Sequence, residues 1–231
     1  LRRIPLHLIL VLCFIACKAP EQEPGPGSPL PMAVADDNVR HDTLFVQVTF
    51  DLGDGTHLMV ASHMEERFEG LRLYRYIARA DSSAEILATS SPAYDSWTML
   101  PTFFRDPQDS LSLVLLANLG EKESWGQKVL RLGPSGFDDL AFLDVAFPER
   151  VREDGTHILK RRNIAPYVRC LPEQDGLRFS FACDSVHLYD DLHGGLDMMV
   201  PAERIHYTWT PAEGLTLWYQ GKPRRPAPLS S

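Results

Sequence analysis

The chain has 231 residues, a formal charge of −8, 44% hydrophobic residues and 23% charged residues. These are the proportions of a folded globular chain, and they exclude wholesale disorder. A balance of 23 Lys and Arg against 31 Asp and Glu also argues against a nucleic-acid binder, whose affinity rests on cationic side chains facing phosphates. No apolar run reaches the roughly 18 residues that a spanning helix needs.

The chain opens with LRRIPLHLILVLCFIAC. Arg2 and Arg3 form a basic start, and Leu6 to Ala16 is apolar apart from His7. A core of that length suits an export signal better than a membrane span. It closes on Phe14-Ile15-Ala16-Cys17, a small residue directly before a cysteine. This ending resembles the lipobox of bacterial lipoproteins, with Phe14 where that family usually carries Leu. The resemblance covers residues 1–17. It implies that residues 1–16 are a signal peptide that is removed and that the Cys17 thiol carries acyl chains. The plain alternative is a secretory signal cleaved near Ala16, with Cys17 unmodified. Several acyl chains on one residue anchor firmly, whereas a single chain binds only marginally. Removal of residues 1–16 takes away two arginines and no acid, which leaves 21 basic and 31 acidic side chains and a charge of −10. Such a body is repelled by anionic headgroups, so the acyl anchor is expected to hold it at the membrane. Lys18 stands where some lipoproteins carry the Asp that retains them in the inner membrane, and this points to the outer membrane.

Pro20, Pro24, Pro26, Pro29 and Pro31 follow, with Gly25 and Gly27 among them. Proline removes backbone donors and glycine adds chain entropy, so residues 17–41 read as a lipidated cysteine plus a tether. The domain proper is expected over 42–220. Residues 221–231, GKPRRPAPLSS, read as a frayed tail.

The domain reads as β throughout. Leu44, Val46, Val48 and Phe50 alternate on one face. Short runs follow at 56–61, 71–78, 86–89, 110–116, 128–132, 140–147, 177–183, 186–189, 205–209 and 215–219, each bounded by turn formers. Their spacing predicts an all-β fold: a single antiparallel β-sandwich or barrel, or a propeller-like meander. One helical turn is expected between Ser62 and Glu69, because Ser62 and Glu65 have capping-box spacing. Asp54-Gly55 and Asp154-Gly155 should each turn the chain into a strand.

Beyond the leader, Cys170 and Cys183 remain, and export would permit a disulfide between them. The hairpin expected around 172–176 places Cys170 opposite Phe179. Cys183 then lies four residues further along, about 13 Å away at ~3.3 Å per residue. A disulfide needs Cα atoms within about 7 Å, so the bond forms only if this hairpin breaks.

No nucleophile elbow, HExxH, P-loop or GxGxxG pattern occurs. Asp190, Asp191, His193 and Asp197 crowd around Gly194-Gly195. Hard carboxylates and an imidazole on a flexible loop could hold a divalent cation, and they equally suit a solvated turn. Asp51 and Asp54 form a weaker acidic pair. In the last hairpin, a register that sets Thr210 opposite Leu215 puts Tyr207, Trp209 and Trp218 on one face. They are then either core or an exposed platform for stacking sugars, and a one-residue slip would scatter them. Trp97 follows Asp95-Ser96 and Trp125 follows Glu123-Ser124. Each is a sugar or peptide contact or a cap on a sheet edge.

The expectation is a lipid-anchored bacterial cell-envelope protein. Its domain would be a non-catalytic binding or accessory module for an envelope component or glycan, with no cofactor and no nucleic-acid partner. The alternative is a metal-assisted hydrolase, in which a divalent cation on Asp190, Asp191, His193 and Asp197 activates water.

Overall fold

The computed structural model describes residues 25–35, 38–65, 71–92, 100–120, 122–189 and 198–224. Apart from short 3-10 turns at Ala165–Tyr167 and Ala202–Arg204, their regular structure is strand, so the fold is all-β. Strands β1 (Leu44–Asp51), β2 (His57–His63), β3 (Arg72–Ala78) and β4 (Ala84–Thr89) form a first sheet in chain order. Strands β5 (Thr102–Arg105), β6 (Leu113–Leu119), β7 (Gly126–Gly133) and β8 (Gly136–Leu143) form a second meander. Beyond it the chain weaves two sheets together. The third takes β9 (Val145–Glu153), β10 (Thr156–Arg162), β13 (Ser185–Leu188) and β14 (Met198–Pro201) in the order β10-β9-β13-β14. The fourth takes β11 (Val168–Glu173), β12 (Gly176–Phe181), β15 (Ile205–Thr210), β16 (Gly214–Tyr219) and β17 (Lys222–Arg224). Among the described residues every sheet is an open antiparallel ladder, and none closes into a barrel.

The layering explains an oddity of the sequence. Strand β6, Leu-Val-Leu-Leu-Ala-Asn-Leu, does not alternate. It lies in the middle layer. Leu115 and Ala117, with Leu130 and Leu132 of β7, pack on Phe50, Leu58, Val60 and Leu73 of the first sheet. Val114 and Leu116 point the other way, onto Val168, Phe179, Tyr207 and Leu217. A strand covered on both faces has no solvent side to make polar. Strand β2 follows the same rule, because Met59 and Ala61 are covered by Tyr74, Tyr76 and Val39 on the outer side of the first sheet.

The run expected over 140–147 is two strands. Asp144 separates them and is buried. Its carbonyl accepts the Tyr189 N–H at 3.0 Å and its carboxylate accepts the Tyr207 hydroxyl. These bonds fix the point where the chain leaves the second sheet for the third. The expected helical turn at 62–69 gives way to β2, which runs on to His63, and residues 66–69 lie outside the described part.

Part of the stretch read as tether belongs to the fold. The Cys170 N–H donates to the Gly27 carbonyl at 2.9 Å, the Leu30 N–H to the Phe103 carbonyl at 2.8 Å, and the Ala35 N–H to the Thr49 carbonyl at 2.9 Å. Cys170, Phe103 and Thr49 sit on β11, β5 and β1, the edge strands of three different sheets. Residues 27–35 therefore cross three sheet edges as a strap, and Leu30 and Met32 add to the core between the first two sheets. Proline forbids a continuous ladder but not single edge bonds, which is why a proline-rich stretch can do this. Gly27 makes the approach possible: its φ is +69°, and a Cβ there would lie 2.4 Å from the Cys170 carbonyl oxygen. At the other end, Lys222–Arg224 of the expected tail pair with β16 as β17. No helix among the described residues is long and apolar enough to cross a membrane.

Candidate functional site

The fourth sheet has two unlike faces. Leu177, Phe179, Tyr207, Trp209 and Leu217 point inward and are buried. Residues of the opposite parity, Arg178, His206, Thr208 and Trp218, point outward. Register decides which aromatic falls where. The loop between β15 and β16 is three residues, Pro211 to Glu213, and closes on Thr210 opposite Gly214. Gly214 has a φ of +69°, as a three-residue hairpin loop ending in a left-handed glycine requires. His206 therefore faces Trp218, and Tyr207 faces Leu217.

This register is one residue away from the one expected, and it divides the three aromatics. Tyr207 and Trp209 are core, not platform. Tyr207 is 1% exposed, donates its hydroxyl to Asp144 and meets Phe181 edge-on at 6.3 Å. Trp209 is 9% exposed and lies under the Arg131 guanidinium, 5.3 Å from ring to cation. Arg131 in turn pairs with the fully buried Asp106 carboxylate at 2.6 Å.

Trp218 alone faces outward. Its ring stacks on His206 with centroids 5.7 Å apart and planes 4° from parallel. Its indole N–H donates to the Thr208 hydroxyl at 2.9 Å. Arg178 lies opposite Thr208 on the neighbouring strand. These four side chains floor a groove of about 860 Å³, rimmed by Glu173, Asp175 and Glu213 from two hairpin loops. Sites for small ligands run to roughly 300–1,000 Å³. Arg178 lines the groove, and its Nε is buried without a hydrogen-bond partner among the described residues. Burial, helped by the Arg178 charge and opposed by Glu173, holds the His206 imidazole below the ordinary histidine value. This favours the neutral ring, which has one nitrogen to donate and one to accept. An indole face, a guanidinium lining the groove and carboxylates on the rim together suit a hydroxyl-rich molecule.

The other expected residues fall as follows. Cys170 faces Phe179 in the expected register, and Cys170 and Cys183 are both free thiols. Burial and the nearby Asp106 push the Cys170 thiol up to about 12. Asp51 accepts the Gly53 N–H at 2.8 Å, and Asp54 accepts from Thr56 and pairs with Arg75 at 2.8 Å, so both shape their own loop. Among the described residues no three His, Cys, Asp or Glu side chains gather to hold a metal. Cys17, Trp97 and the loop of Asp190, Asp191, His193 and Asp197 lie outside the described residues. Trp125 is 53% exposed. Arg178 and His206 were not singled out from the sequence, although two-residue periodicity with the correct loop length would have placed both beside Trp218.

No protein-family model matches the chain, and a search of curated proteins finds no match.

Proposed function

We propose that the protein is a lipid-anchored bacterial envelope component whose domain is a non-catalytic glycan-binding module. The ligand would lie on the outer face of the fourth sheet. The observation that carries this reading is the pairing of an outward Trp218 with Arg178 on the floor of one groove. The indole would take the C–H face of a sugar ring. Arg178, His206 and the rim carboxylates would take its hydroxyls. Anchoring rests on the lipobox-like ending at Cys17, and Lys18 favours the outer membrane.

Two measurements test the two halves. Soluble fragments of envelope polysaccharide, presented as an array and then titrated by calorimetry, should bind the native protein. Trp218→Ala and Arg178→Ala should each weaken that binding at least tenfold without changing the far-UV circular dichroism. Equal binding by native and variant proteins would remove the groove from the argument. For the anchor, Cys17→Ser should release the protein from the membrane fraction, and continued membrane partitioning at the processed size would refute acylation there.

A further inference from the structure

The hairpin of β9 and β10 projects beyond its sheet. Strand β13 pairs with β9 at Val145 and Ala146, so from Phe147 onward β9 has β10 as its one strand neighbour among the described residues. Asp154 and Gly155, both at positive φ, close a two-residue turn between Glu153 and Thr156. The result is a two-stranded ribbon over 147–162.

Its charges are sorted by face. Glu149 and Glu153 share one side with Lys160 and Arg162, and these pair: Arg162 with Glu149 at 2.7 Å, Lys160 with Glu153. The opposite side carries Arg150, Arg152, His157, Leu159 and Arg161, and of these Arg161 is already paired with Glu123 of the neighbouring loop at 2.6 Å. Arg150, Arg152 and His157 are exposed and have no ionic partner among the described residues. In a chain of charge −8, the ribbon holds five basic residues against three acidic ones. Two exposed apolar groups are near: one on the basic side and one on the loop bonded to β10. Leu159 is 38% exposed between arginines, and Trp125 is 53% exposed on the neighbouring loop. That loop is fixed: the Ser124 N–H donates to the Arg161 carbonyl at 2.9 Å, and the Ser124 hydroxyl to the buried Asn118 at 2.5 Å.

The chain also leaves the described domain at this end. Gly27 is bonded to Cys170, three residues from Tyr167, whose ring stacks at 4.5 Å on Phe147 at the base of the ribbon. Seven residues separate Cys17 from Gly25, and the eight Cα-to-Cα steps reach at most ~28 Å when extended.

We propose that the basic side of this ribbon, with Trp125, lies on an anionic lipid surface and sets the orientation of the domain on its membrane. Arginines meet headgroup phosphates, while an exposed indole and a leucine enter the interface. Placement of the ribbon beside the membrane rests on the acylation of Cys17; its charge and apolar pattern do not. With the rest of the chain net negative, docking through this side would fix how the domain sits.

The test uses the full protein extracted from membranes and placed in nanodiscs of phosphatidylcholine alone or with phosphatidylglycerol. Hydrogen exchange over 147–162 and around Trp125 should slow in the anionic discs only. Arg150→Ala with Arg152→Ala should weaken that docking ~30-fold, the loss expected for two arginines at an anionic surface. Equal exchange in both lipids overturns the proposal. So does protection that soluble polyphosphate reproduces, which would make the face a general polyanion site. The intact mass of the same sample reports Cys17 separately. An unacylated mass with the ribbon still protected refutes the anchor and supports the ribbon.

Discussion

Two tryptophans nine residues apart should answer to mutation in opposite ways. Trp209 is 9% exposed, and its replacement by alanine empties a large volume between the second and fourth sheets. Such truncations cost about 3–5 kcal/mol. Loss of the stacked Arg131 adds ~1 kcal/mol. Against a total stability of about 5–15 kcal/mol, Trp209→Ala should leave the domain close to unfolding. Trp209→Phe keeps a ring beneath the guanidinium and should cost ~2 kcal/mol. Trp218 is partly exposed and makes one side-chain hydrogen bond, so Trp218→Ala should cost ~1 kcal/mol. Urea unfolding followed by far-UV circular dichroism measures both, with the slope expected to stay constant and the midpoint to move. In saccharide binding the order reverses. Trp209→Phe, folded, should bind as the native protein does, while Trp218→Ala should lose ~2 kcal/mol of affinity, the loss typical of an anchoring aromatic. Equal midpoint shifts for Trp209→Ala and Trp218→Ala, or loss of binding in folded Trp209→Phe, would refute the assignment of the two faces.

Three further outcomes are expected. Gly27→Ala places a methyl 2.4 Å from the Cys170 carbonyl oxygen on a backbone of positive φ, so the strap should lift and proteolysis near residues 27–35 should accelerate, as limited digestion with mass readout would show. Cys183 should react with iodoacetamide in the native protein before Cys170, whose buried thiol is pushed up to about 12; equal labelling rates would contradict that burial. The His206 value is lowered on folding, so the unfolded chain binds a proton that the native state refuses. Stability should therefore rise with pH through the window just below the ordinary histidine value of 6.5 and fall on acidification through it, and His206→Gln should flatten that slope in urea midpoints taken at several pH values.

The all-β class was legible because runs such as Leu44 to Phe50 alternate and are bounded by turn formers. What escaped has physical causes. Strand β5 is only four residues and β14 likewise, too short for periodicity to register. Leu140 to Phe147 is apolar apart from Asp144, and nothing in it says that Asp144 would take the Tyr207 hydroxyl and end one strand. The strap makes single bonds to three sheets, so no local pattern announces it. The site was half legible. Trp218 stood out as an aromatic on a hairpin, but its face depended on whether the loop holds three residues or four. That difference also hid Arg178 and His206.

The strap ties the order of synthesis to the order of completion. Gly27 and Leu30 are made early, yet their partners are Cys170 and Phe103. A nascent chain stalled before Cys170 can seat Leu30 on Phe103 and Ala35 on Thr49 but has no partner for Gly27. The strap is thus complete only once synthesis has reached β11, well past the middle of the chain.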